Sequence, residues 1–288
     1  MSLPEPAWTV RSLLVWAREW LGKKGVESPR LDAELLLARA LGCDRTRLYI
    51  DFDKPLTPAE LALVKPLLQR RAAREPVAYI LGVKEFYGRP FEVGPGVFIP
   101  RPETEILVQL ALAALPPQGR ALDLCAGSGA IGVTLAAERP EARVDLVELS
   151  PEAAAFTRKN AEKHAPGRAQ VFEGDLYAPL DPAARYDVVA TNPPYIALAE
   201  QAQLAREIID HEPRLALFAG EDGLEVLRRI LAGLSQRLAP GGLFAAEIDP
   251  AQAPRAAALC TEAGLVSVHV ERDLAGLDRH VVGRAAAG

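Results

Sequence analysis

The chain has 288 residues, of which 49% are hydrophobic and 25% charged, an ordinary globular composition and long enough for two domains that each bury a core. Cys43, Cys125 and Cys260 are too few and too scattered for a disulfide framework or a four-ligand zinc site, so no structural metal is expected. Met1 to Val10 lacks the basic and apolar regions of a secretory signal, and no stretch approaches the roughly 18 apolar residues of a membrane span, which predicts a cytoplasmic protein with no membrane partner.

The net charge of −5 is unevenly spread. Residues 1 to 85 carry 14 Lys and Arg against 11 Asp and Glu, and the remainder 19 against 27. An acidic second half argues against a tight, sequence-tolerant grip on a phosphate backbone, so no direct nucleic-acid binding is expected.

The first 75 residues read as helices. Leu13, Trp16, Ala17, Trp20 and Leu21 form one apolar stripe, closed by Gly22 and Gly25. Ser28-Pro29 supplies an N-cap and a first-turn proline for a second helix through Leu31, Leu35 and Ala38, which Gly42 ends. Thr57-Pro58 repeats the start signal, and Leu61, Val64 and Leu68 continue it, but Pro66 should kink the helix or begin a fresh turn. Arg70, Arg71 and Arg74 read as a solvated basic face.

Between Val83 and Ile99, aromatic and β-branched runs broken by Gly88-Arg89-Pro90 and Gly94-Pro95-Gly96 suit a hairpin joining two domains. The expected division is a helical domain over 1–82, a β-hairpin linker over 83–102 and a catalytic domain over 103–288. In the last of these, apolar strands at Ala121 to Cys125, Val144 to Glu148, Ala169 to Phe172, Asp187 to Thr191 and Leu243 to Ile248 alternate with helical stretches, the pattern of a Rossmann-like α/β parallel sheet. Leu265 to Val270 and His280 to Val282 are separated by too short a loop for a crossover helix, so the last pair should be antiparallel.

The segment from Asp123 through Cys125, Ala126, Gly127, Ser128 and Gly129 to Gly132 runs from a strand through a glycine loop into a helix, where backbone can approach a nucleotide-like ligand. Gly127, Gly129 and Gly132 also satisfy the dinucleotide fingerprint, with Glu148 closing the next strand. Asp123, inside the strand, favours S-adenosylmethionine instead, because an acid there can orient its cationic amino-acid end. Glu148 can accept from both ribose hydroxyls. Asp175 can accept from the adenine amino group while Leu176 covers the ring, although Gly174-Asp175 also reads as a simple capped turn.

Asn192-Pro193-Pro194-Tyr195 directly follows a strand, and nothing structural asks for it. An amide or aromatic amino nitrogen is a poor nucleophile, so a methyltransferase must aim its lone pair at the methyl donor and weaken its delocalisation. The side-chain oxygen of Asn192 and the carbonyl of Pro193 can accept its two hydrogens, the two prolines lock φ, and Tyr195 offers a flat surface for stacking. The expected catalytic residues are Asn192, Pro193 and Tyr195, with Pro194 completing the substrate-binding run. Positioning then replaces a general base.

With these residues in view, the chain resembles the release-factor glutamine methyltransferases, the HemK/PrmC family of class I methyltransferases. The likeness covers nearly the whole chain and includes Tyr79-Ile80-Leu81-Gly82, Glu85-Phe86-Tyr87-Gly88, Pro100-Arg101-Pro102-Glu103-Thr104-Glu105, Glu212-Pro213, Asp222-Gly223-Leu224 and Asp273-Leu274-Ala275-Gly276. The resemblance implies a helical domain that helps bind class I peptide chain release factors, and methylation of the glutamine N5 in their Gly-Gly-Gln motif. It also implies S-adenosyl-L-methionine held against Cys125 to Gly129, Glu148, Leu176 and Asn192, leaving as S-adenosyl-L-homocysteine. The family's loop usually opens with Gly where Cys125 stands; closeness to the donor, rather than a positive φ, is the expected reason. A catalytic role for the Cys125 thiol is not expected, because no His lies nearby in sequence.

Three other readings stay open on the residues alone: an adenine-N6 methyltransferase, a nicotinamide-dependent oxidoreductase, and a non-enzymatic binding module.

Overall fold

The structure, a computed structural model, describes residues 8–287, so most of the Met1–Val10 segment discussed above, and Gly288, lie outside the described residues. The chain divides into two compact units. One comprises the residues up to Gly82 together with Ala205–His211, and the other comprises Val83–Leu204 with Glu212 onward.

The first unit contains α1 (Val10–Lys23), α2 (Pro29–Leu41), α3 (Arg45–Ile50), α4 (Pro58–Ala72) and α5 (Val77–Leu81). Leu13, Ala17 and Leu21 of α1 pack with Leu36 and Leu37 of α2 and Val64 and Leu68 of α4 in one core. Thr57 and Glu60 form a reciprocal capping box at the start of α4. Ser28 occupies the N-cap of α2 without a side-chain hydrogen bond, so Pro29 alone carries that start signal. Pro66 does not break α4. Buried Val64 and Leu68 on either side clamp the helix against the core and offset the hydrogen bond that Pro66 cannot donate.

The basic face expected at Arg70, Arg71 and Arg74 is not solvated in that way. Arg71 is 5% exposed and its Nε donates to Asp32 at 2.6 Å. Its Nη2 donates to Glu207 Oε1 at 3.0 Å, and Arg74 Nη2 to Glu207 Oε2 at 2.5 Å. Arg70 pairs with Glu75. Glu207 lies in helix Arg206–His211, so a segment far along the sequence closes this unit's buried ion cluster. The division expected from the sequence places that segment in the catalytic domain, 103–288.

The second unit opens with β1 (Val83–Phe86) and β2 (Arg89–Glu92), an antiparallel hairpin. Numbering the helix of the first unit at Arg206–His211 as α9, the remaining elements are α6 (Thr104–Ala114), β3 (Arg120–Leu124), α7 (Ala130–Glu138), β4 (Arg143–Glu148), α8 (Pro151–His164), β5 (Ala169–Glu173), β6 (Tyr186–Thr191), α10 (Glu225–Leu234), β7 (Leu238–Glu247), α11 (Ala253–Glu262), β8 (Val266–Arg272) and β9 (Asp278–Arg284). The sheet order is β5-β4-β3-β6-β7-β9-β8. The first five of these strands run parallel; β9 lies antiparallel between β7 and β8.

Apolar faces on both sides of this sheet are covered. Val144, Leu146 and Val188 pack with α6 and α7 residues such as Leu107 and Leu135. Leu122, Val189 and Phe244 pack with Ile230 of α10 and Ala256 of α11. The chain builds outward from β3 to β5 and then returns to place β6 on the other side of β3. This reversal opens a crevice at the carboxyl ends of β3 and β6, where Leu124 and Thr191 are register partners. Thr191 Oγ1 donates to the Leu124 carbonyl at 2.7 Å and ties the two strand ends together.

No helix among the described residues is long and apolar enough to cross a membrane, and they contain no group of three or more His, Cys, Asp or Glu side chains gathered to hold a metal ion.

Candidate active site

A cleft sits over this crevice, lined by the loop after β3, the end of β4, the turn after β5 and the loop after β6. The loop after β3 is held from several sides. Ala126 N–H donates to the Val147 carbonyl at 3.1 Å, Thr157 Oγ1 to the Gly127 carbonyl at 2.7 Å, and Asn160 Nδ2 to the Ser128 carbonyl at 2.9 Å. Cys125, Gly127 and Gly129 adopt φ of 58°, 58° and 82°. A Cβ at Gly129 would come within 2.9 Å of Val133, so this glycine answers both conformation and space.

Glu148 closes β4 with each carboxylate oxygen accepting one backbone N–H, Gly127 at 2.7 Å and Ser150 at 2.8 Å. Burial pushes its carboxyl above the usual range, against the pull of these donors. The remaining lone pairs suit adjacent hydroxyls. Leu149 and Leu176 are apolar members of the same lining. Asp175 also borders the cleft, with its Oδ2 2.5 Å from Arg229.

Across the cleft, Asn192 Nδ2 donates to Thr104 Oγ1 at 3.3 Å, Thr104 Oγ1 to Glu247 Oε2 at 2.6 Å, and Tyr195 OH to Glu247 Oε1 at 3.3 Å. Burial raises both the Glu247 carboxyl and the Tyr195 phenol. The Tyr195 carbonyl accepts from Gln252 Nε2 at 2.8 Å, and a Cβ at Gly223, whose φ is +72°, would lie 2.1 Å from that carbonyl oxygen. Glu212 accepts from the Ile99 N–H at 3.2 Å and from Arg101. Pro100-Arg101-Pro102-Glu103-Thr104 is thereby pinned at both ends.

A family model described as the PrmC N-terminal domain matches residues 12–82, and one described as the methyltransferase small domain matches residues 91–224. The release factor glutamine methyltransferase of Geobacter sulfurreducens is 45% identical over 277 residues, 96% of this chain and 97% of that protein. The protein of the same name from Rhodopirellula baltica is 39% identical over 280 residues, covering 94% and 95%. The chain belongs to the release factor glutamine methyltransferase family.

Among the solved structures that share its fold are two methyltransferases. One is the Thermus thermophilus 16S rRNA N2 G1207 methyltransferase in complex with AdoMet and guanosine, with a TM-score of 0.53 and 24% identity over 70% of this chain and 49% of that one. The other is a Pyrococcus furiosus methyltransferase, with a TM-score of 0.52 and 17% identity over 76% and 97%. Family membership sets aside the oxidoreductase reading that the glycine loop alone left open.

Of the residues singled out from the sequence, Cys125, Ala126, Gly127, Ser128, Glu148, Asp175, Leu176, Asn192, Pro194 and Tyr195 meet in this one cleft. Asp123, Gly129 and Pro193 do not border it. Asp123 is fully buried, its Oδ2 accepts the Gly132 N–H at 2.8 Å, and burial pushes its carboxyl up to about 8. Asp123 holds helix α7 against β3 and does not border the cleft. Gly129 sits beneath the loop at the helix entry, and the Pro193 ring is buried.

Cys125 departs from expectation in the other direction. Its positive φ shows that the position itself asks for the left-handed conformation, so strain, and not only closeness, accompanies the cysteine. Burial raises its thiol, which leaves it protonated and a poor nucleophile.

Sequence reasoning missed Thr104, Phe98, Phe218 and Arg229 in the lining and Glu247 behind it. Only Thr104 had a signal, its place in the Pro-Arg-Pro-x-Thr-Glu run.

Proposed function

We propose that the protein transfers a methyl group from S-adenosylmethionine to the side-chain amide nitrogen of the glutamine in the Gly-Gly-Gln motif of class I release factors, in the cytoplasm. The observation that carries this reading is that the Asn192–Tyr195 run and the glycine loop border the same cleft, at adjacent strand ends. The name borne by relatives up to 45% identical over nearly the full length supports the choice of substrate.

The donor set fits S-adenosylmethionine. A carboxylate with free lone pairs at Glu148 suits a ribose diol, and apolar Leu149 and Leu176 suit the faces of an adenine ring. When bound, S-adenosylmethionine supplies a methyl group made electrophilic by its sulphonium. The protein's own work is then to aim the acceptor. The Asn192 Oδ1 accepts one hydrogen of the substrate amide, which increases lone-pair density on nitrogen. The second hydrogen is assigned to the Pro193 carbonyl, reached by an amide entering between Asn192 and Pro194, both of which border the cleft. Tyr195 supplies a flat wall against which the planar amide stacks. Transfer makes the nitrogen acidic, so its proton leaves to water with no dedicated base, and positioning supplies most of the rate.

The test is labelled methyl transfer to purified release factor, beside its Gln→Ala variant in the Gly-Gly-Gln motif and a duplex DNA control. Label on the unaltered factor alone is the expected result; label on DNA would instead select the adenine reading. Asn192→Ala should keep donor affinity while transfer collapses, and parallel loss of both would remove Asn192 from its role.

A further inference from the structure

We propose that Thr104, in the cleft lining, and Glu247, behind it, are positioning residues that set the orientation of the Asn192 side-chain amide. This rests on the proposed amide-methylation reading and adds to it the reason why Asn192 presents oxygen, not nitrogen, to the substrate.

Asn192 has two nearly isosteric ends, and only its oxygen can accept from a substrate N–H. Left to itself, the amide can turn over and present a donor to a donor. A threonine hydroxyl has a single proton to give. At 2.6 Å from Glu247 Oε2, in a buried setting, the proton of Thr104 is committed to the carboxylate. The Thr104 oxygen can then act towards Asn192 only as an acceptor, so the end of Asn192 that faces it, 3.3 Å away, must be the NH2 group. Oδ1 is thereby turned away from Thr104.

Against burial, the Thr104 hydroxyl, the charge of Arg279 and the Tyr195 hydroxyl pull the Glu247 carboxyl back towards its ionised form, and as a carboxylate it can only accept; its other oxygen lies 3.3 Å from the Tyr195 hydroxyl, whose proton is committed in the same way. One buried acid, 1% exposed, therefore fixes the direction of two hydrogen bonds that end on the two side chains proposed to handle the substrate. Thr104 opens α6 and Glu247 ends β7, 143 positions apart in the chain, so both are fixed by regular elements while the Asn192 loop is not.

The experiment compares Thr104→Val, Thr104→Ser and Glu247→Gln in steady-state methyl transfer to purified release factor, with donor Kd and melting temperature measured on each variant. Thr104→Val keeps the shape and removes the hydroxyl; kcat should fall about tenfold or more while donor Kd stays within about threefold. Thr104→Ser restores the hydroxyl and should recover most of that loss. Glu247→Gln keeps the volume but can donate as well as accept, so the chain can reverse and kcat should fall as for Thr104→Val. It carries the same test if Thr104→Val does not fold.

Unchanged kcat in Thr104→Val or in Glu247→Gln overturns the inference, as does a folded Thr104→Ser that is as impaired as Thr104→Val, because packing would then be the cause. Failure of the unaltered protein to methylate any release factor is a different result. It would strike the proposed function itself, and this inference with it.

Discussion

The carboxylate of Asp123 accepts the Gly132 N–H at 2.8 Å, and a Cβ placed on Gly132 would lie 2.9 Å from the Cβ of Asp123 and 2.6 Å from Leu146. The hydrogen bond and the missing Cβ are two halves of one contact: helix α7 can reach strand β3 only because nothing stands between them. Gly132→Ala should therefore cost about 1–3 kcal/mol by overpacking. It should also weaken donor binding, since the displaced helix begins at Ala130, which lines the cleft. Denaturant titration and calorimetry with S-adenosylmethionine measure the two effects; a variant as stable as the parent would mean that the helix has room to move.

The same aspartate makes a pH signature. Burial raises its pKa from an ordinary 3.8 to about 8, so the folded state prefers the protonated form. Its favourable contribution is full below the unfolded value and is lost as pH rises through the folded one. Asp123→Asn keeps an acceptor for Gly132 and does not titrate. Between pH 5 and pH 8 the ligand-free parent should lose stability relative to Asp123→Asn, by on the order of 1.4 kcal/mol per pH unit at most. Glu148, raised in the same direction by burial, is common to both proteins, so the difference reports Asp123 together with its coulombic coupling to Glu148. A difference that is flat across this range would show that Asp123 is ionised in the fold.

In the helical unit, Arg71 offers a contrast with its neighbour Arg70. Arg71 lies between Asp32, 4% exposed, and Glu207, whereas the Arg70 side chain is 45% exposed beside Glu75. Arg71→Met leaves a buried carboxylate without its partner and should cost about 3–5 kcal/mol. Arg70→Ala should cost no more than about 1 kcal/mol. Thermal melts of the two variants decide the matter, and equal losses would refute the burial argument.

These contacts also show what a sequence makes legible. Strand positions and the parallel sheet followed from apolar runs alternating with helical stretches, whereas the adjacency of the β3 and β6 ends, which brings Gly127 and Asn192 to one cleft, came only with the strand order. The antiparallel final pair followed from a loop too short for a helix. What stayed hidden were partners chosen by tertiary packing: Thr104 with Glu247, Arg101 with Glu212 and Arg71 with Glu207, each more than 100 positions apart. No periodicity links such pairs. Asp123 shows the same limit: its residue type suits a ligand, and only the fold shows that it is buried against the Gly132 N–H and outside the cleft lining. Pro66 leaves α4 continuous, because propensity yields where Val64 and Leu68 are buried on either side.

Cys125 is the residue on which sequence and structure press hardest against each other. At φ +58° a side chain costs about 1–2 kcal/mol relative to an unstrained backbone, while glycine at the same place costs about 0.5–1 kcal/mol more entropy on folding. The two nearly offset, so Cys125→Gly should stabilise the protein by no more than about 1 kcal/mol, and should not weaken donor binding. Cys125→Val sets a β-branched residue in the same left-handed position and should destabilise clearly, with donor affinity falling because its branches project into the lining. Denaturant midpoints and donor Kd for the pair check both effects. If valine were tolerated as well as glycine, the positive φ at this position would have no energetic consequence, and the thiol would be there for some other reason.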